Sequence, residues 1–199
     1  MSGRNTTLRS LHDVCLAAWF GGSLMGAVGL NGAAQDEGGT WATTARIASS
    51  GWAKWTPVNA AAIAAHLFGS GGMLAVNAPR VATQQGVAAS TLAKTVLTGA
   101  ALAATAYSRV LGKKIELAAS SDPEDAAKAA KHPIDTDKAQ RQLACMQWAV
   151  PALTGGLLIL NALHGEQQRP AEQAHGMWQR ARSLTPAMMP SFPDWHLTH

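Results

Sequence analysis

Three histidines are the residues whose type and position in this sequence are most specific for chemistry. His66 lies within residues 58–78, a stretch without charge, whereas His12 precedes a similar stretch and His164 ends another. An ionisable side chain inside an apolar segment long enough to cross a bilayer is a candidate functional group. Two histidines at one depth on facing helices can also hold a haem. We therefore take His12, His66 and His164 as candidate cofactor-binding residues.

The haem hypothesis needs a matched pair, and the sequence places His12 and His164 at similar depth. His66 is expected nearer mid-bilayer, without a histidine partner there. The alternative is a neutral His66 that is hydrogen-bonded to Asn161, Gln147 or a threonine. Histidines and methionines in the C-terminal 33 residues also favour copper, although their irregular spacing makes chance the simpler explanation.

Polar residues inside the predicted spans form a second candidate site. Asp13 and Lys94 should lie at the level of His12, either as an interfacial ion pair or as part of a transport site. Gln147 and Asn161 are fourteen residues apart on one face of a helix, and Arg109 ends a threonine stripe. Buried amides in lipid commonly link helices, and a polar path for a small solute is the alternative.

Four apolar segments must position these residues. No charged residue occurs in 14–35, 56–79 or 142–165, and 95–108 forms a shorter uncharged stretch. A helix that crosses the bilayer needs roughly 20 apolar residues. We predict an all-α, four-helix transmembrane bundle over residues 1–166, with helices at about 8–34, 57–78, 90–117 and 136–165. Both termini would lie on one side, face A, and the 36–56 and 112–141 connections on face B.

The segments outside the spans differ in character. Residues 36–56 carry Trp41, Trp52 and Trp55, and tryptophan favours the membrane–water interface, so we predict a short interfacial helix there. Residues 112–141 are charged, balanced in sign and interrupted by prolines, and are predicted to form a solvated hairpin. Residues 167–199 are polar and then proline-rich, which is typical of a disordered tail.

Small residues form a stripe on each of the first two predicted spans. Gly22 and Gly26 belong to the first stripe, and Gly69 and Gly72 to the second. Small side chains allow close helix approach in lipid. We expect the two stripes to pack together within the chain, and a homodimer seam is the alternative.

Composition and motifs argue against several function classes. The net charge is +4 with no basic run, which gives no nucleic-acid footprint. The sequence has no P-loop, dinucleotide-binding or zinc-protease motif. We therefore expect no enzyme activity, no metal and no required cofactor.

Two resemblances can be given on particular residues. Leu11-His12 followed by Trp19-Phe20-Gly21-Gly22 resembles the first-helix pattern L-H-x6-W-x-G-G of copper-resistance D-type membrane proteins. The strings WFGGSLMGAVGLNGA (19–33), WTPVNAAAIA (55–64), AYSRVLGKKIE (106–116) and WAVPALTGGLLILNALHGEQQRP (148–170) resemble an actinobacterial family of uncharacterised four-helix integral membrane proteins. The second resemblance implies a multi-pass protein of a bacterial plasma membrane and supplies no catalytic residue.

The leading prediction for function is a non-enzymatic accessory subunit or interaction scaffold. Its partners would be the lipid bilayer, other membrane subunits or a second copy of the chain. A small-solute or ion permease is the first alternative, and a haem- or copper-binding membrane protein is the second.

Overall fold

The uncharged stretches all fall inside long helices. The protein is described here by a computed structural model, which places the backbone of residues 6–83 and 85–167. In chain order α1 spans Thr6–Met25, a π-helical turn Gly26–Leu30, α2 Asn31–Gly38, α3 Trp41–Thr83, α4 Gln85–Ala119, α5 Pro123–Lys131 and α6 Thr136–Gln167. The predicted tail lies almost entirely outside the described residues.

Four helical runs are long and apolar enough to cross a membrane, namely Thr6–Gly38, Trp41–Val76, Val87–Ala119 and Thr136–Leu163. The prediction of an all-α, four-helix transmembrane bundle is confirmed, and the chain is an integral membrane protein. The first run is continuous because the π turn joins α1 to α2 without a break. Contacts divide the chain into Met1–Ile159, described below, and a unit that begins at Leu160.

The position of the short helix differs from the prediction. Residues 41–56 do not form a separate interfacial helix, because α3 runs without interruption from Trp41 to Thr83. At 1.5 Å per residue this helix is about 65 Å long, more than twice the ~30 Å hydrocarbon core. Trp52 and Trp55 are half-buried within the bundle, and only Trp41 is mainly exposed. Trp52 and Trp55 are thus packing residues of α3 rather than one side of a surface helix.

The short helix of the structure is α5, inside the predicted hairpin. Pro123 occupies its first turn, and the Asp122 side chain accepts hydrogen bonds from the backbone N–H groups of Glu124 and Asp125. Acidic residues in the first turn and lysines in the last turn complement the helix dipole. This charged helix connects α4 to α6, which begins at Thr136 as the sequence indicates.

Helices α1 and α3 pack through their glycines, but the two stripes do not pack against each other as predicted, because each of these glycines contacts a large side chain. Trp55 lies against Gly22 and Trp52 against Gly26, while His12 lies against Gly69. A Cβ atom at Gly69 would lie 2.9 Å from His12 Cβ and 3.0 Å from the Leu8 carbonyl oxygen. The glycines therefore serve contacts within the chain.

These contacts also fix an unexpected register. Gly22 and Gly26 lie near the middle of the uncharged residues 14–35, yet they meet Trp55 and Trp52, which lie at the start of the uncharged part of α3 and one turn before it. Conversely, His12 precedes the uncharged part of α1, and it contacts residues in the middle of the uncharged part of α3. The two uncharged stretches are therefore staggered by several helical turns rather than side by side.

A packed apolar core lies between α1, α4 and α6. Its buried residues are Leu16, Trp19, Ala101, Ala104, Val150 and Leu157. Many large apolar side chains outside this core are exposed, including Phe68 at 69% and Val14 at 67%. Apolar side chains on the outer surface suit contact with lipid rather than water.

Candidate functional site

His12 and His66 form a stacked pair between α1 and α3. Their ring centroids are 4.2 Å apart with an interplanar angle of 34°. His66 Nδ1 lies 3.2 Å from the backbone carbonyl oxygen of His12, and because the carbonyl can only accept, Nδ1 carries the proton. His12 Nδ1 lies 2.7 Å from Asp13 Oδ1. Both imidazoles are thus oriented by an oxygen of α1.

The structure corrects the expected depth and partner of His66. The staggered register brings His66 to the level of His12, so His66 does have a histidine partner. Its hydrogen-bond acceptor is the backbone of α1 and not Asn161, Gln147 or a threonine. His66 is 1% exposed, and its Nε2 atom has no hydrogen-bond partner among the described residues.

The predicted Asp13 and Lys94 cluster is brought together at this level. Lys94 of α4 interacts electrostatically with Asp13 and with Arg9 of α1, and the charge of Asp13 also acts on His66. His164 lies on the backbone of α6, but its side chain is outside the described residues. This histidine–carboxylate–lysine group lies towards face A.

Trp19 lies between the histidine group and the centre of the bundle. Its ring meets His66 edge-on at a centroid distance of 6.2 Å, and its Nε1 donates to Thr105 Oγ1 over 3.3 Å. Trp19 and Leu16 are fully buried within the apolar core. This layer separates the histidine group from the face B half of the bundle.

A cavity of about 210 Å³ occupies the face B half. Side chains from α3, α4 and α6 form its walls, and Ser23 of α1 completes them. A buried water needs about 10–15 Å³ of such space, so the cavity is large enough for a small molecule. Most of the wall is apolar, with contributions from Ala45, Ala48, Ala60, Ile63, Ile115, Leu143 and Val150.

Two residues that line the cavity each carry a fully buried polar atom without a hydrogen-bond partner among the described residues. These atoms are Trp55 Nε1, a donor, and Asn59 Oδ1, an acceptor. Both residues line the cavity, and they lie four residues apart, so they are neighbours on one face of α3. Both atoms are closed off from the cavity space by surrounding atoms, and an unsatisfied buried polar group costs about 1–3 kcal/mol.

A hydrogen-bonded network flanks the same cavity. Asn31 donates from Nδ2 to Gln147 Oε1 over 2.8 Å, and Trp52 Nε1 donates to Asn31 Oδ1 over 3.0 Å. Asn31 directly follows the π turn, and its backbone N–H bonds back to the Gly26 carbonyl. A π turn rotates the residues that follow it, which brings the Asn31 amide to α3 and α6.

The predicted polar residues divide between the two ends of the bundle. Arg109 and Gln147 line the cavity, whereas Asp13 and Lys94 belong to the histidine group. Asn161 is half-buried on α6 beyond Ile159. The sequence interpretation did not identify Trp55, Asn59 or Asn31 as site residues. The signal for the first two was present, because Trp52, Trp55, Thr56 and Asn59 recur on one face of a helix.

The described residues contain no group of three or more histidine, cysteine, aspartate or glutamate side chains that could hold a metal ion. Comparison of the chain with family models, curated proteins and solved structures finds no match. The interpretation of function therefore depends on the geometry of the site.

Proposed function

We propose that this integral membrane protein binds a small molecule in the cavity lined by Trp55 and Asn59, and that it does so without catalysis. The observation that carries the proposal is a cavity of about 210 Å³ whose mostly apolar wall includes a few polar side chains, Trp55 and Asn59 among them. Ligand pockets are mostly apolar with a few convergent polar groups. We further propose the plasma membrane of a bacterium as its location, on the resemblance given above.

Binding is favoured over open passage of a solute. A permease needs a polar route from one face to the other, at least transiently. The layer of Leu16, Trp19, Ala101, Val150 and Leu157 is almost completely buried and stands between the histidine group and the cavity. The cavity therefore supports a binding protein more directly than a channel.

The accessory-subunit role stays a prediction. It depended on free faces of small residues, and Gly22, Gly26 and Gly69 are occupied by Trp55, Trp52 and His12 of the same chain. Haem or copper binding also stays a prediction.

The test is native mass spectrometry of protein purified in mild detergent. Wild-type protein should carry a bound small molecule, and the double variant W55F/N59L should lose it, because the two substitutions change the shape and polarity of the cavity wall. W148F is the matched control, since Trp148 is 57% exposed and does not line the cavity. The absence of any adduct from the wild type, or its retention in the double variant, would refute the proposal.

A further inference from the structure

We infer that the ligand of this cavity is an amphipathic anion, a single alkyl chain that ends in a carboxylate. This inference rests on the proposed function and specifies the class of its ligand. Three features of the cavity support it: the length of the apolar wall, an arginine at the opening, and an amide whose orientation is fixed by a chain of hydrogen bonds.

The cavity is long and narrow. Its wall follows α3 from Ala45 to Ile63, a rise of about 27 Å at 1.5 Å per residue. Ile63 and Val150 line the end towards the centre of the bundle, whereas Ile115 and Leu143 line the end towards face B. A volume of about 210 Å³ along this length suits one alkyl chain. Burial of that chain against apolar side chains is favourable.

The opening of the cavity carries a positive charge. Among the lining residues only Ala60 and Arg109 are exposed, which places Arg109 at the rim. Arg109 makes no hydrogen bond or ion pair with the described residues. The other charged residue of the wall, Glu116, is paired with Lys113 over 2.8 Å. A guanidinium group can bind a carboxylate through two parallel hydrogen bonds, so Arg109 suits an anionic head group.

A chain of hydrogen bonds orients the Gln147 amide. Trp52 Nε1 can only donate, so the atom of Asn31 that it meets is the amide oxygen. Asn31 Nδ2 is then the donor to Gln147 Oε1. The Gln147 Nε2 group is left as a donor without a partner among the described residues, and it is not sealed by its neighbours as Trp55 Nε1 is. Because Gln147 lines the cavity, its N–H groups can donate to an anion.

The hydroxyl groups of the wall compete little for this role. Four of them, Ser23, Thr56, Thr105 and Ser108, each donate to a backbone carbonyl of their own helix, and each hydroxyl has one proton. A cationic head group would be repelled by Arg109, and an alcohol would gain nothing from its charge. A carboxylate is the head group that uses both Arg109 and Gln147.

The test compares three probes with one chain length: dodecanoate, dodecanol and dodecylammonium. Their binding to the full-length protein in phosphatidylcholine nanodiscs is measured by titration calorimetry against empty nanodiscs, at mildly alkaline pH. Ratios between wild type and variant for the same probe cancel differences in partitioning into lipid. R109Q should weaken dodecanoate about tenfold, strengthen dodecylammonium and leave dodecanol unchanged. R109K should recover part of the loss, because it restores the charge without the planar fork.

R46Q is the matched control, because Arg46 is an exposed arginine of α3 that does not line the cavity. It should leave all three probes unchanged. Q147E keeps an oxygen for the Asn31 amide and replaces the N–H donor with a second oxygen. It should therefore weaken dodecanoate and not dodecanol.

The source of the anion is tested by adding phosphatidylglycerol to the nanodiscs. A free carboxylate predicts that the ratio of wild-type to R109Q affinity for dodecanoate stays the same. If the phospholipid competes for the wild type and the ratio falls towards one, a phosphate head group is the ligand and the carboxylate assignment is wrong.

The remaining outcomes separate the two proposals. If R109Q leaves dodecanoate unchanged, weakens dodecanol equally or has no more effect than R46Q, the carboxylate assignment is wrong. An adduct that the wild type carries and W55F/N59L loses would still support ligand binding, even if no probe binds. If the protein binds neither a probe nor an adduct, both proposals fail.

Discussion

The imidazole of His66 stacks on that of His12 at 4.2 Å and donates a hydrogen bond to the His12 backbone carbonyl. This contact joins a residue in the middle of one uncharged stretch to a residue outside the other. It thereby defines the register of α1 against α3, on which the positions of both polar sites depend.

The His66 contact should contribute substantially to stability. H66A removes a fully buried ring and its hydrogen bond, so we expect a loss of about 2–4 kcal/mol in the free energy of unfolding. H66N should recover part of this loss, because its amide can replace the Nδ1 donor. SDS-induced unfolding of the detergent-solubilised protein measures the change. H132A, at an exposed histidine next to α5, should have no effect; equal losses in both variants would contradict the assignment.

The close approach of α1 and α3 should make Gly22 intolerant of a side chain. A Cβ atom there meets the Trp55 indole, whereas a Cβ atom at the adjacent Gly21 meets nothing within 4 Å. We expect G22A to destabilise the protein by about 1–3 kcal/mol through overpacking and G21A to be close to neutral. Thermal unfolding in detergent compares the two. An indistinguishable pair would show that the register is not as described.

The amide bond between Asn31 and Gln147 should couple α2 to α6 energetically. Interhelical hydrogen bonds in membrane proteins average about 0.6 kcal/mol and reach about 1.7 kcal/mol. We expect a double-mutant cycle of N31A and Q147A to give a coupling in the upper half of that range, because Trp52 also bonds to Asn31. The exposed bond of Tyr107 to Gln142, 3.1 Å long, provides a reference cycle with a smaller coupling. Additive effects of N31A and Q147A would exclude the network.

The stacked histidines should not bind haem between them. Axial ligation across an iron needs two nitrogen lone pairs that point at each other, whereas each lone pair here lies in the plane of its own ring and the two rings face each other at 4.2 Å and 34°. We expect purified protein titrated with haemin to give the same absorption spectrum as the H66A variant. A sharp Soret band that H66A abolishes would contradict this expectation and would require α1 and α3 to separate.

Sequence alone was sufficient for three of the four crossings and indicated the fourth through the shorter uncharged stretch 95–108. Lys, Arg, Asp and Glu are costly in hydrocarbon, so their absence from 14–35, 56–79 and 142–165 marks the spans before any packing is known. The same reasoning identified His66 as the unusual residue of its helix. It also grouped Asp13 with Lys94, because both charges must lie near a membrane edge.

The tertiary structure decided which level of one helix faces which level of the next. A prediction from hydropathy places the uncharged stretches side by side in the bilayer. A membrane helix can nevertheless tilt, extend beyond the bilayer, or direct its charged side chains to the interface at modest cost in free energy. The contacts at the glycines fix the register more strictly. The side chains of Trp52, Trp55 and His12 fit only against residues that have no Cβ atom. The staggered register pairs His12 with His66 and makes Trp55 and Asn59 lining residues of a cavity. Neither arrangement can be derived from the sequence pattern alone.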